Sequence, residues 1–114
     1  MLYNEQTQEL VSYQYDYGVP VIFDAGEDEG FSVGEKVIFV FDTDKIENKE
    51  FTVNAAEYSF PLKLEKAEAD ALFTKEIGER PIHYSAKRYN ASNQFLETLI
   101  DSDFIIKGTL KWQN

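Results

Sequence analysis

The sequence predicts an all-β sandwich, and three observations carry that prediction. Short segments alternate apolar and polar side chains with a period of two, as strands with one buried face do. Turn-forming clusters separate these segments at intervals of roughly ten residues. Only one stretch, Glu65 to Phe73, changes to helical spacing, which argues against an alternating βαβ arrangement. A chain of 114 residues suits one domain with a single core, spanning residues 1–114.

The elements follow in order. In "LVSYQYDY", Val11, Tyr13, Tyr15 and Tyr17 fall on one face, and Ser12, Gln14 and Asp16 on the other. Packing of that tyrosine stripe into the core competes with its use as an exposed aromatic platform. After Gly18, "VPVIF" sends Val19, Val21 and Phe23 to one side, and Pro20 marks an edge or a strand start. "KVIFVF", Lys36 to Phe41, is continuously apolar and β-branched, the pattern of a central strand covered on both faces. It stops at "DTDK". Two further strands lie within Glu50 to Leu64. Phe51, Val53 and Ala55 share a face in the first; Tyr58, Phe60, Leu62 and Leu64 share one in the second, which Pro61 assigns to an edge.

The helix from Glu65 to Phe73 places Ala67, Ala71 and Leu72 within reach of one another. Gly78 and Pro81 close the connection. Beyond them, Ile82, Tyr84 and Ala86 point inward, and His83, Ser85 and Lys87 outward. "NASN" reads as a turn, "QFLETLI" as a strand, "DSD" as a second turn and "DFIIKGTLKW" as a last strand. Together these make a three-strand meander and bring the total to about seven or eight strands.

Composition narrows the function classes. A hydrophobic fraction of 43% and an aromatic fraction of 15% belong to a chain that packs a core. The absence of cysteine removes disulfides, thiol nucleophiles and thiolate metal sites, and fits an intracellular origin. The N-terminus lacks the basic and apolar regions of a secretory signal, and no apolar run reaches the length of a membrane span. A formal net charge of −10 opposes binding to nucleic acid and to anionic membranes.

Two motifs test for chemistry. Gly30-Phe31-Ser32-Val33-Gly34 spells the G-x-S-x-G elbow of serine hydrolases, and His83 is the only histidine. The elbow requires a strand before the serine and a helix after it. Here an acidic loop precedes Ser32 and a strand follows, so the expectation is a loop-to-strand turn and no catalysis. Asp24, Glu27, Asp28 and Glu29 offer hard oxygen ligands to calcium, without the spacing of an EF-hand loop. A solvated loop tip is the competing reading, and no cofactor is expected. Asn90-Ala91-Ser92 matches a glycosylation sequon and is read as hairpin turn.

From Tyr58 to Trp112 the order is an apolar strand "YSFPLKL", a short acidic helix, a glycine-containing turn, an aromatic strand "IHYSAKRY", a polar hairpin, and "SDFIIKG". This order resembles the immunoglobulin-like N-terminal domain of phage baseplate upper proteins and related small prophage tail proteins of Gram-positive bacteria. "GEKVIFVFDTD" resembles that family's strand following an N-terminal loop. The resemblance implies an immunoglobulin-like antiparallel β-sandwich and a non-enzymatic structural or assembly role in a phage tail or baseplate. The protein would be made in the bacterial cytoplasm and incorporated into the virion. Its partners would be other tail proteins or copies of itself.

The candidate contact residues are Tyr13, Tyr15, Tyr17 and Phe31, with the loop from Asp24 to Gly34 and the edge near Pro20. An immunoglobulin-like frame also puts Tyr84 at a strand start, where its hydroxyl can bond back to upstream backbone. The alternative class is a carbohydrate- or calcium-dependent binding module.

Overall fold

A computed structural model describes residues 1–13, 17–18, 20–24, 31–54, 59–72 and 80–107. Among the described residues the chain is all-β with one short helix. Its strands are β1 (Leu2–Tyr3), β2 (Leu10–Tyr13), β3 (Val21–Asp24), β4 (Lys36–Phe41), β5 (Lys49–Thr52), β6 (Ser59–Leu62), β7 (Arg80–Tyr89) and β8 (Phe95–Lys107), with helix α1 (Lys66–Leu72) between β6 and β7. Six strands form one sheet in the order β1-β2-β8-β7-β4-β5, and β3 pairs with β6 in a second.

The core fills the space between the sheets. Phe23 on β3 stacks on Phe60 on β6 with ring centroids 5.3 Å apart, and Phe31 and Phe39 meet Phe60 at 5.4 and 5.8 Å. Further along the large sheet, Phe41, Tyr84 and Phe104 form a second aromatic group. Full burial of side chains of this size stabilises by roughly 1.5–3 kcal/mol each. Ile82, Tyr84 and Ala86 point inward as β7's alternation requires, and Phe60, Leu62 and Leu64 do the same around β6.

Four details differ from the sequence expectation, and one more, the face of β2, decides between the two readings of its tyrosine stripe. The large sheet is mixed, because β2 runs parallel to β8 while the other described pairings are antiparallel. Strands this far apart in sequence have no hairpin to impose an antiparallel direction.

The buried face of β2 is that of Leu10 and Ser12, and Tyr13 is exposed. Register explains this, since Leu10 and Ser12 lie opposite Phe104 and Ile106, and opposed residues share a face.

On β4 only Val37, Phe39 and Phe41 are buried; Val40 is exposed and Ile38 half-buried. The second sheet covers one face of β4, so its apolar run is a one-faced strand.

On α1, Ala69 and Leu72 are the buried pair, and Ala67 faces solvent. The Glu68 carboxylate accepts from the Glu65 amide at 3.0 Å, half of a capping box, which fixes the helix start and its rotation.

Finally, "DSD" is no turn. Ile100, Ser102, Phe104 and Ile106 keep one face while Asp101 and Asp103 keep the other, so period two passes through the acidic stretch. β7 and β8 form a single long hairpin. Its register shifts leave Leu99 and Leu96 without opposed residues on β7, as at β-bulges.

Among the sequence expectations, those at Tyr15, Val19, Ala55, Tyr58, Gly78 and from Gly108 to Trp112 lie outside the described residues.

Candidate interaction surface

Phe31 to Lys36 show what the "GFSVG" stretch builds. The Glu35 amide donates to the Ser32 carbonyl at 3.1 Å, closing a four-residue turn whose third residue, Gly34, has φ +90°. Positive φ at that place makes it a type II turn and calls for glycine. Gly34 then donates to the Val53 carbonyl at 2.8 Å, while the Val53 amide donates to the Glu35 carbonyl at 2.9 Å. Two residues thus oppose one, with a left-handed glycine first, which is a G1 bulge leading into β4.

Glu35 locks this turn to the hairpin. Its carboxylate accepts from the Ser32 amide at 2.6 Å and from Arg88 Nη2 at 2.8 and 3.0 Å and Nε at 3.2 Å. The guanidinium carbon also lies 4.9 Å from the centre of the Phe31 ring. Burial alone would push the Glu35 carboxyl up. The Arg88 and Ser32 hydrogen bonds and the Arg88 charge outweigh it and hold the group below its ordinary value.

This geometry reassigns several candidates. Phe31 is 2% exposed and belongs to the core, because the Arg88 stack and the Phe60 contact enclose it, so it offers no ring to a partner. Ser32 lies before β4, whereas His83 lies beside the far end of β4, where its carbonyl accepts from the Asp42 amide. The strand between them spans about 20 Å at a rise of about 3.3 Å per residue, so the two are not brought together. The exposed His83 ring instead faces Asp101 across the strands, Nε2 to Oδ1 2.6 Å, with Asp103 4.0 Å from Nδ1.

Tyr13 is exposed, and Lys107 Nζ lies 6.0 Å from its ring centre. Tyr17 is half-buried against the core. Tyr15, Glu27, Asp28, Glu29 and the side chain of Asp24 lie outside the described residues, and no metal-ligand cluster occurs among the described residues.

Tyr84 is fully buried and donates its hydroxyl to the Gln8 carbonyl at 2.6 Å, in the β1–β2 connection. The bond back to upstream backbone is present, but Tyr84 lies in the middle of β7 and not at a strand start, and its partner is much further upstream than a corner within one strand pair would give. Gln8 itself holds φ 64°, and the Ser102 hydroxyl donates to the neighbouring Thr7 carbonyl at 3.0 Å.

Two surface features carry no sequence signal. Val33, Phe95 and Leu96 are exposed at the end where the turn from Ser32 to Glu35 meets the β7–β8 turn. Lys36 Nζ to Asn93 Oδ1 at 2.8 Å ties these two turns together. A groove of about 390 Å³ also opens between the edges of the two sheets, lined by Pro20, Phe39, Phe51, Pro61 and Leu62. Neither could be read from periodicity, since each joins residues distant in sequence.

Comparison with protein-family models, curated proteins and solved structures gives no match to this chain.

Proposed function

We propose that this chain is an immunoglobulin-like domain that serves as a non-enzymatic structural or assembly component of a phage tail or baseplate, acting through protein contacts. The strand order carries this reading. β5-β4-β7-β8 follows the C′-C-F-G order of a variable-type immunoglobulin sheet, and β3-β6 follows the B-E pair opposite it. The helix between β6 and β7, the buried Tyr84 and the polar hairpin turn after Tyr89 keep the order in which the phage-domain resemblance puts them. The β3–β4 and β7–β8 connections then correspond to the B–C and F–G loops that meet partners in other domains of this class. Exposed Val33, Phe95 and Leu96 give that end an apolar contact surface.

Co-expression with the products of neighbouring genes tests the reading. Co-purification of a tail or baseplate protein, weakened by Phe95→Ser, is the expected result. A neighbourhood of polysaccharide-degrading genes and no co-purifying partner would overturn it. Exposed Tyr13 favours a second reading, a carbohydrate-binding module; tyrosine fluorescence that responds to sugars and loses the response in Tyr13→Ala would move the assignment there.

A further inference from the structure

We infer that the edge of β5 that no described strand pairs takes up an extended, basic strand from another protein. The inference rests on the reading of this chain as a protein-binding domain and names the surface and the chemistry of the partner. Val53 directs both its amide and its carbonyl toward β4. Backbone direction alternates along a strand, so Phe51 and Lys49 also face β4, while Glu50 and Thr52 point their amides and carbonyls away from it. β5 is the last strand of its sheet among the described residues, so these groups form a hydrogen-bonding template.

The side-chain surroundings match a strand of alternating character. The groove lined by Phe39, Phe51, Leu62, Pro20 and Pro61 opens beside this edge on the side facing the second sheet, and would take apolar side chains from alternate positions of an added strand. The other positions would lie on the face of Glu50. Charge selects their type. Lys49 is engaged by Glu68, Lys63 lies 3.5 Å from Glu65, and Lys66 lies 2.7 Å from Asp70. Asp44, Glu47 and Glu50 are exposed along β5 and the connection before it, with no ion pair among the described residues, and exposed Lys45 among them offsets only one of these charges. With a net charge of −10 behind them, these carboxylates favour lysine or arginine on the arriving strand and disfavour a second copy of this chain.

The test uses the full chain and a blocked peptide of about eight residues alternating valine with lysine, with a glutamate-for-lysine peptide as control. Hydrogen exchange at the Glu50 and Thr52 amides should slow about tenfold or more with the lysine peptide at concentrations up to about 1 mM, and not with the control. Glu50→Pro removes one outward donor at a position where an edge strand tolerates proline, and should weaken binding about tenfold or more. Glu50→Lys keeps the backbone and should weaken it through charge, so a folding failure in one variant leaves the other decisive.

Protection confined to other edges, no protection, or equal binding of both peptides would overturn the inference, as would a β5-paired dimer that excludes the peptide. A tail protein that co-purifies equally with Glu50→Pro sinks the edge assignment alone. The wider reading fails if no neighbouring gene product binds either form.

Discussion

Tyr84 shows how much one side chain ties together. Its hydroxyl anchors the Gln8 carbonyl, and through it the β1–β2 connection, to the middle of the large sheet. Tyr84→Phe keeps the ring packing and leaves that carbonyl without its donor, so it should lower unfolding free energy by about 1–3 kcal/mol in denaturant titrations. Burial pushes the Tyr84 hydroxyl well above its ordinary value of 10.0, and proximity to Tyr3 adds to the shift. A raised folded value means that this contribution is complete below pH 10 and is lost as the unfolded chain ionises above it. Stability should therefore fall on the alkaline side, and the fall should be shallower in Tyr84→Phe. Gly34 supplies a second test at this scale. A β-carbon there would require a left-handed non-glycine residue and would stand 3.0 Å from the Ala91 Cβ. Gly34→Ala should cost about 1–2 kcal/mol or more, read from the shift of the denaturant midpoint.

At the scale of elements, Phe60 and Phe23 together join the small sheet to the large one: both rings meet Phe39, Phe60 also meets Phe31, and Phe23 also meets Tyr3. Phe60→Ala should cost about 3–5 kcal/mol in chemical denaturation, whereas Ile22→Ala, on the exposed face of the same sheet, should stay within about 0.5 kcal/mol. This contrast follows the alternation that made β3, β6 and β7 legible from sequence. The same signal stops short where tertiary pairing decides the face. On β2 alternation leaves the tyrosine face open between core and exposed platform, and its place beside Phe104 and Ile106 decides the matter by putting small Ser12 inside and Tyr13 outside. "DSD" resembles a turn by composition, yet Asp101 and Asp103 simply occupy the solvent face of a strand opposite His83. The "GFSVG" turn was legible as a turn. Its Arg88 anchor was not, because more than fifty residues separate the guanidinium from the carboxylate it holds.

At the scale of the whole molecule, two electrostatic effects of opposite sign set the acid response. A net charge of −10 at neutral pH opposes compaction through general repulsion. Protonation of exposed carboxylates relieves that repulsion as pH falls toward about 5. Glu35 acts the other way. Its folded value is depressed, so the stability it contributes is complete above the ordinary glutamate value and disappears as pH falls through the folded one. Melting temperature should thus hold level or rise on going from pH 7 to about 5 and drop below about pH 4. Added salt should raise it at pH 7, where repulsion is long-ranged and screened, and act less on the partly buried Glu35–Arg88 pair. Glu35→Gln separates the two effects. It should lower stability at pH 7 by about 1–3 kcal/mol and flatten the acid limb, while leaving the salt-dependent gain at pH 7 in place. A melting profile in which the variant and the parent chain fall in parallel below pH 4 would show that the acid limb comes from other carboxylates.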